Sequence, residues 1–167
     1  METQTENSTA LETAVKQRSL LFICTANAIR SQMAEGFLKA RSKDFIVYSA
    51  GSSPVPFIDR HAVQVMKEIG IDITEHYTNS IDDYRNVPLD IAITLCGNAY
   101  EVCPVWLYSS STILNAHWGF KDAAGRNIEA YRKLRDELDH HITKFLAGYS
   151  PSMTNDELKV LLRKLMR

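Results

Sequence analysis

Apolar residues fall into two kinds of run along this chain. Leu20-Leu-Phe-Ile23, Phe45-Ile-Val-Tyr-Ser-Ala50, Leu89-Asp-Ile-Ala-Ile-Thr-Leu95 and Thr112-Ile-Leu-Asn115 are short, dense and of strand length. Between them the apolar positions recur at helical spacing. Met33, Phe37 and Leu38 give a core face to a helix over residues 32–40. Ala62, Val65, Met66 and Ile69 do the same over 59–69, where Gly70 ends the pattern. Residues 81–85 read as a short helical turn. Ile128, Tyr131, Leu134, Leu138, Ile142 and Phe145 mark a long helix stopped by Gly148. Thr154 and Glu157 have capping-box spacing ahead of a stripe of Leu158, Leu161, Leu162 and Leu165. That predicts a fifth helix over 154–167, with Lys164 and Arg167 at its dipole-favoured end.

Strands alternating with helices predict parallel βαβ units. The fold class is therefore α/β, an open, doubly wound four-stranded parallel sheet flanked by helices. Residues 19–150 form the domain and 1–18 an N-terminal extension, in which Thr9 and Glu12 allow a short helix over 10–17. Residues 151–167 are the C-terminal helix. Its leucine stripe is buried either on its own domain or in a dimer contact, so monomer and dimer both stay open. Sites in such sheets lie at the carboxyl ends of the strands.

Composition narrows the function classes. The 167 residues are 45% hydrophobic and 23% charged, with a net charge of −1. That balance offers nothing to nucleic acid or an anionic membrane. No apolar run approaches the roughly 20 residues of a membrane span, and the polar start lacks a signal-peptide core. A cytoplasmic setting follows by default. Three cysteines, an odd number, argue for reactive thiols over a disulfide framework. The five histidines lack metal-ligand spacing with them, so zinc is not expected.

The chemistry concentrates where the first strand ends, at Cys24-Thr-Ala-Asn-Ala-Ile-Arg30-Ser31. A strand that breaks into a tight loop and then a helix makes an anion cradle, a P-loop. Backbone N–H groups of Thr25, Ala26, Asn27, Ala28 and Ile29 turn inward, and the helix N-terminus adds partial positive charge. Arg30 contributes a planar fork of donors suited to a tetrahedral oxyanion. Those donors favour thiolate at Cys24, and Ser31 can donate to the sulfur. Cysteine, any five, arginine, serine resembles the signature of cysteine-based phosphatases. The early position and Asn27 make the low-molecular-weight phosphatase superfamily the best match.

Two further segments sharpen the resemblance. Thr94-Leu-Cys96 ends the third strand, and Cys103-Pro104 follows after six residues. His117-Trp-Gly-Phe-Lys-Asp122 comes later. Together with the Cys24 loop these resemble the thioredoxin-coupled arsenate reductases, over residues 19–148. The resemblance implies Cys24 as nucleophile, Cys96 and Cys103 as resolving thiols, and Asp122 as the acid that protonates a leaving oxygen. It also implies a potassium ion near Asn27, Glu35, Ser49 and Asp82, and thioredoxin as reductant. Glutaredoxin with glutathione would leave a similar chain. His117 reads as a loop hydrogen-bonder.

The chain departs from the pattern in four places. Ala26 stands where glycine is usual, which adds strain of about 1 kcal/mol if that position needs φ above zero. Ile29 replaces a second loop cysteine, leaving Cys96 as the resolving partner. Asp122 precedes Ala123, not proline. Ala123-Ala-Gly-Arg126 replaces the tyrosines that hold an aryl ester, which counts against phosphotyrosine. Three functions follow, in order of expectation. The first is reduction of arsenate to arsenite by a three-cysteine relay. The second is hydrolysis of phosphomonoesters using Cys24, Arg30 and Asp122. The third is a non-enzymatic oxyanion-binding or redox-sensing module.

Overall fold

The computed structural model describes residues 17–96 and 104–167. The expected helix over 10–17 therefore lies outside the described residues, apart from Gln17, and so do Cys103 and the segment 97–102. The chain runs β1 (Arg18–Cys24), α1 (Arg30–Arg41), β2 (Phe45–Gly51), α2 (Arg60–Lys67), a 3-10 turn (Ile81–Tyr84) and β3 (Ile91–Thr94). It continues with α3 (Val105–Ser109), β4 (Leu114–His117), α4 (Ile128–Gly148) and α5 (Asn155–Lys164). All three strand pairings are parallel, in the order β2-β1-β3-β4. This is the expected α/β sheet, with β1 and β3 inside it.

Residues alternate between two buried faces along β1, so its sequence is a continuous apolar run. Leu20 and Phe22 face the main core with Met33, Phe37, Val65, Met66, Trp118, Leu138, Ile142 and Phe145, contributed largely by α1, α2 and α4. Leu21 and Ile23 face a smaller cluster with Ala50, Ile81, Leu89, Ala92 and Leu107. The long helices therefore gather on one face, while the 3-10 turn and α3 cover the other.

The tail stripe packs on its own domain. Leu158 and Leu162 are buried in the main core, with Leu161 and Leu165 half-buried against it. Thr154 caps α5 through the full reciprocal capping box with Glu157. Gly148 ends α4 for a packing reason: a Cβ there would lie 2.7 Å from Leu161 Cδ1. The fourth strand sits two residues later than its expected start, and α3 was not anticipated. No helix among the described residues is long and apolar enough to cross a membrane.

Candidate active site

The carboxyl ends of β1, β2, β3 and β4 form one edge, with Cys24 opposite Gly51 and Ile23 beside Thr94. Cys24 is buried at that edge. The loop after β2 straps the outside of the cradle. Ser52, Ser53, Val55 and Asp59 donate their N–H groups to the carbonyls of Cys24, Thr25, Ala26 and Ala28, at 2.9–3.2 Å. With those carbonyls taken from outside, the loop's own N–H groups are free to face inward. The Asn27 N–H points at Cys24 Sγ, 3.2 Å away. The strap runs so close that a Cβ on Gly51 would lie 2.5 Å from the Thr25 carbonyl oxygen.

The loop's one left-handed residue is Asn27, with φ of 53°. The strain expected at Ala26 does not arise, because the turn falls one position later. Asparagine tolerates that conformation better than most residues, and its side chain is held on all sides. Nδ2 donates to Ser31 Oγ at 2.7 Å and Ser49 Oγ at 3.0 Å. Oδ1 accepts from the Asn79 N–H at 2.8 Å and Gln32 Nε2 at 3.2 Å. An amide with both donors and its acceptor satisfied has a fixed orientation. Because Ser31 Oγ already accepts from Asn27, its own proton is available to Cys24 Sγ, 2.9 Å away.

Arg30 begins α1, whose first turn carries neither an acidic residue nor a side-chain cap. That leaves the helix N-terminus open toward the cradle. Arg30 itself is buried. Its Nη1 donates to the Phe120 carbonyl at 3.1 Å, and its Nη2 lies 3.4 Å from Asp122 Oδ2. The other Asp122 oxygen accepts from the Ala124 N–H at 3.1 Å. Ala123 is buried in the main core and so anchors the loop. The Asp122 carboxylate stays half exposed beside the guanidinium.

Cys96 is the second buried thiol of this edge. Burial pushes its pKa up, and the Cys24 charge adds to that. The Arg30 guanidinium and a hydrogen bond from the Thr25 side chain act in the opposite sense. All three of those residues belong to the cradle. His117 ends β4, where its Nδ1 lies 2.8 Å from Thr94 Oγ1. It sits on the strand, not in a loop.

Three of the four residues that the resemblance names for potassium already have side-chain partners. Asn27 Oδ1 already accepts two N–H groups. Glu35 faces His76 Nδ1 at 2.8 Å and Lys39 Nζ at 3.5 Å, so two cationic or donor groups occupy its carboxylate. Ser49 accepts from Asn27, and Asp82 is exposed on the 3-10 turn. Among the described residues no three His, Cys, Asp or Glu side chains cluster as metal ligands. Sequence reasoning missed Gln32, Asn79, Gly51 and the Phe120 carbonyl. Only Gly51 carried a signal, as the glycine that closes a strand.

The sequence profile described as low molecular weight phosphotyrosine protein phosphatase matches residues 19–159. Arsenate reductase 1 of Staphylococcus epidermidis is 39% identical over 132 residues, spanning 78% of this chain and 97% of that protein. Arsenate reductase 1 of Staphylococcus saprophyticus is 38% identical over 130 residues, 77% and 96%. Among solved structures, an arsenate reductase in the phosphate binding state superposes with a TM-score of 0.68 at 28% identity, covering 80% of this chain and all of that one. The low molecular weight protein tyrosine phosphatase of T. tengcongensis superposes at 0.67, also with 28% identity and the same coverage.

Proposed function

Because the chain belongs to the low molecular weight phosphotyrosine protein phosphatase family, and its cradle is lined by a second buried thiol, we propose that it reduces arsenate to arsenite by a thiol relay. The observation that carries the proposal is Cys96, a second buried thiol at the same sheet edge, hydrogen-bonded by the Thr25 side chain and near enough to Cys24 and Arg30 to feel their charges. A hydrolase needs only one thiol there. The names of the staphylococcal relatives support the same substrate.

Arsenate sits on the loop N–H groups and the Arg30 fork. Cys24 thiolate attacks arsenic while one As–O bond breaks, and Asp122 donates a proton so that water leaves. Cys96 then attacks Cys24 Sγ, its thiol proton passing to an arsenic-bound oxygen. The S–As bond breaks, its electron pair stays on arsenic, As(V) becomes As(III), and arsenite departs from a Cys24–Cys96 disulfide. Cys103 thiolate attacks Cys96 Sγ, which returns Cys24 as thiolate and leaves a Cys96–Cys103 disulfide. A thioredoxin dithiol reduces that disulfide and is itself oxidised, in a cytoplasm that keeps thioredoxin reduced. Glutaredoxin with glutathione is the alternative reductant. Cys96 and Cys103 bridge only if residues 97–102 bring their Cα atoms within about 7 Å.

The second reading, phosphomonoester hydrolysis, uses Cys24, Arg30 and Asp122 alone, and the structural likeness to a tyrosine phosphatase favours keeping it. Mass spectrometry of trapped disulfides after one equivalent of arsenate separates the two. Cys103→Ser should stall as a Cys24–Cys96 disulfide after one turnover, and Cys96→Ser should release no arsenite over many. Catalytic arsenite formation with Cys96 and Cys103 still free would refute the relay.

A further inference from the structure

The last residues of the chain close on the loop that carries Asp122. The Arg167 N–H donates to the His117 carbonyl at 3.2 Å, where β4 ends and that loop begins. Its guanidinium carbon lies 4.1 Å from the centroid of the Phe120 ring. A Cβ on Gly119, between these two points, would be tight against His117 Nε2, at 3.1 Å, and in ordinary contact with the Arg167 carbonyl oxygen, at 3.6 Å. Glu137 of α4 faces the same guanidinium at 4.0 Å. Arg167 therefore meets the loop at two points, the His117 carbonyl and the Phe120 ring.

Phe120 is the pivot of that loop. Its N–H donates to the Leu95 carbonyl at 2.9 Å, beside Cys96. Its carbonyl holds Arg30 Nη1, and two residues later Asp122 meets Arg30 Nη2. A shift of the Phe120 backbone would move the guanidinium and the carboxylate relative to each other. Ala123, which follows the aspartate, does not fix its own backbone as a proline would, so the loop is held by contacts. Ala123 supplies one on the inner side. α5 delivers the other, since burial of Leu158 and Leu162 brings the tail across the end of β4.

We propose that Arg167 is a positioning residue for the proton donor: bonded to His117 and held over Phe120, it fixes the segment that sets Asp122 against Arg30. The proposal rests on the reading of Asp122 as the acid. The cation–ring contact and the backbone bond to His117 are both outside the cradle, so Arg167 touches neither substrate nor the reacting atoms.

The test is a double-mutant cycle in the full chain, read by single-turnover consumption of arsenate. Arg167→Ala should slow that step roughly threefold to tenfold, the scale of one cation–π contact acting on a barrier. KM for arsenate should stay within about twofold, because the loop N–H groups and Arg30 remain. In an Asp122→Asn background, Arg167→Ala should cost nothing further. Phe120→Leu, which keeps the buried volume and removes the ring, should reproduce the loss and make Arg167→Ala silent. Equal slowing in both backgrounds, or none in the parent, overturns the proposal while leaving the acid role of Asp122 intact. If Asp122→Asn alone has no effect, the acid reading fails and the role of Arg167 falls with it.

Discussion

Arg30 holds the Phe120 carbonyl and Asp122 with different nitrogens, a division that only a planar fork can make. Arg30→Lys keeps the charge and loses a charge-assisted hydrogen bond worth about 1.5–3 kcal/mol, so arsenate and phosphate affinity should fall roughly ten- to a hundredfold. Asp122→Asn should leave that affinity nearly unchanged and slow the first chemical step by about 10²–10⁴. Competition binding with phosphate beside rapid-quench kinetics separates the two, and the reverse pattern would exchange their roles. Cys24, Arg30, Ser31 and Asp122 were legible because their chemistry lies in local spacing. Asn79, which helps orient Asn27, was not, because that bond joins distant parts of the sequence, and Gln32, though five residues from Asn27, carries no spacing signal that aims its amide at the loop. The local rule also misplaced the strain: it pointed to Ala26, whereas the turn uses Asn27 and secures it through its amide.

Element by element, periodicity served best where one face is buried over several turns. α4 ran from Ile128 to Gly148, as its apolar spacing implies. α3 escaped notice because it has five residues and only Leu107 is buried. β4 slipped because Ala116 is its one buried position, so alternation gives no register. α5 illustrates what periodicity leaves open, since a leucine stripe says that it is buried and not against what. Packed as it is, the helix belongs to the main core. Leu158→Ala should therefore cost about 2–4 kcal/mol by urea unfolding, the usual loss for a fully buried leucine. A change below about 0.5 kcal/mol, the scale of surface substitutions, would mean the helix is peripheral.

The whole molecule should be acid-sensitive through a histidine remote from the thiol chemistry. His141 on α4 is buried in edge-type ring contact with Trp118 and Phe120, and its Nε2 has no hydrogen-bond partner among the described residues. Burial lowers its pKa to about 4 from the ordinary 6.5, and the Arg167, Lys144 and His140 charges push the same way against a Leu165 backbone bond. The folded state thus refuses a proton that the unfolded chain accepts. Its contribution is intact above pH 6.5 and declines as the pH falls toward 4, by roughly 3 kcal/mol in all. Urea unfolding at pH 7 and pH 4.5 should show the loss, and His141→Phe should flatten it. An unchanged slope in that variant would assign the sensitivity elsewhere. The parallel pairing of the sheet was readable from alternating elements, and helical spacing puts His141, not His140, on the stripe of Leu134, Leu138 and Phe145, though it does not say that the ring is left short of a hydrogen-bond partner. The same order has a consequence for how the chain is made. β1 leaves the ribosome first, yet its partner β3 begins only at Ile91, and no hairpin can occupy it meanwhile. At about 5–20 residues per second, the stretch Leu20 to Ile23 stays unpaired on that side for several seconds of synthesis. A nascent chain would carry its most aggregation-prone segment and its reactive cysteine together, exposed until β3 has emerged.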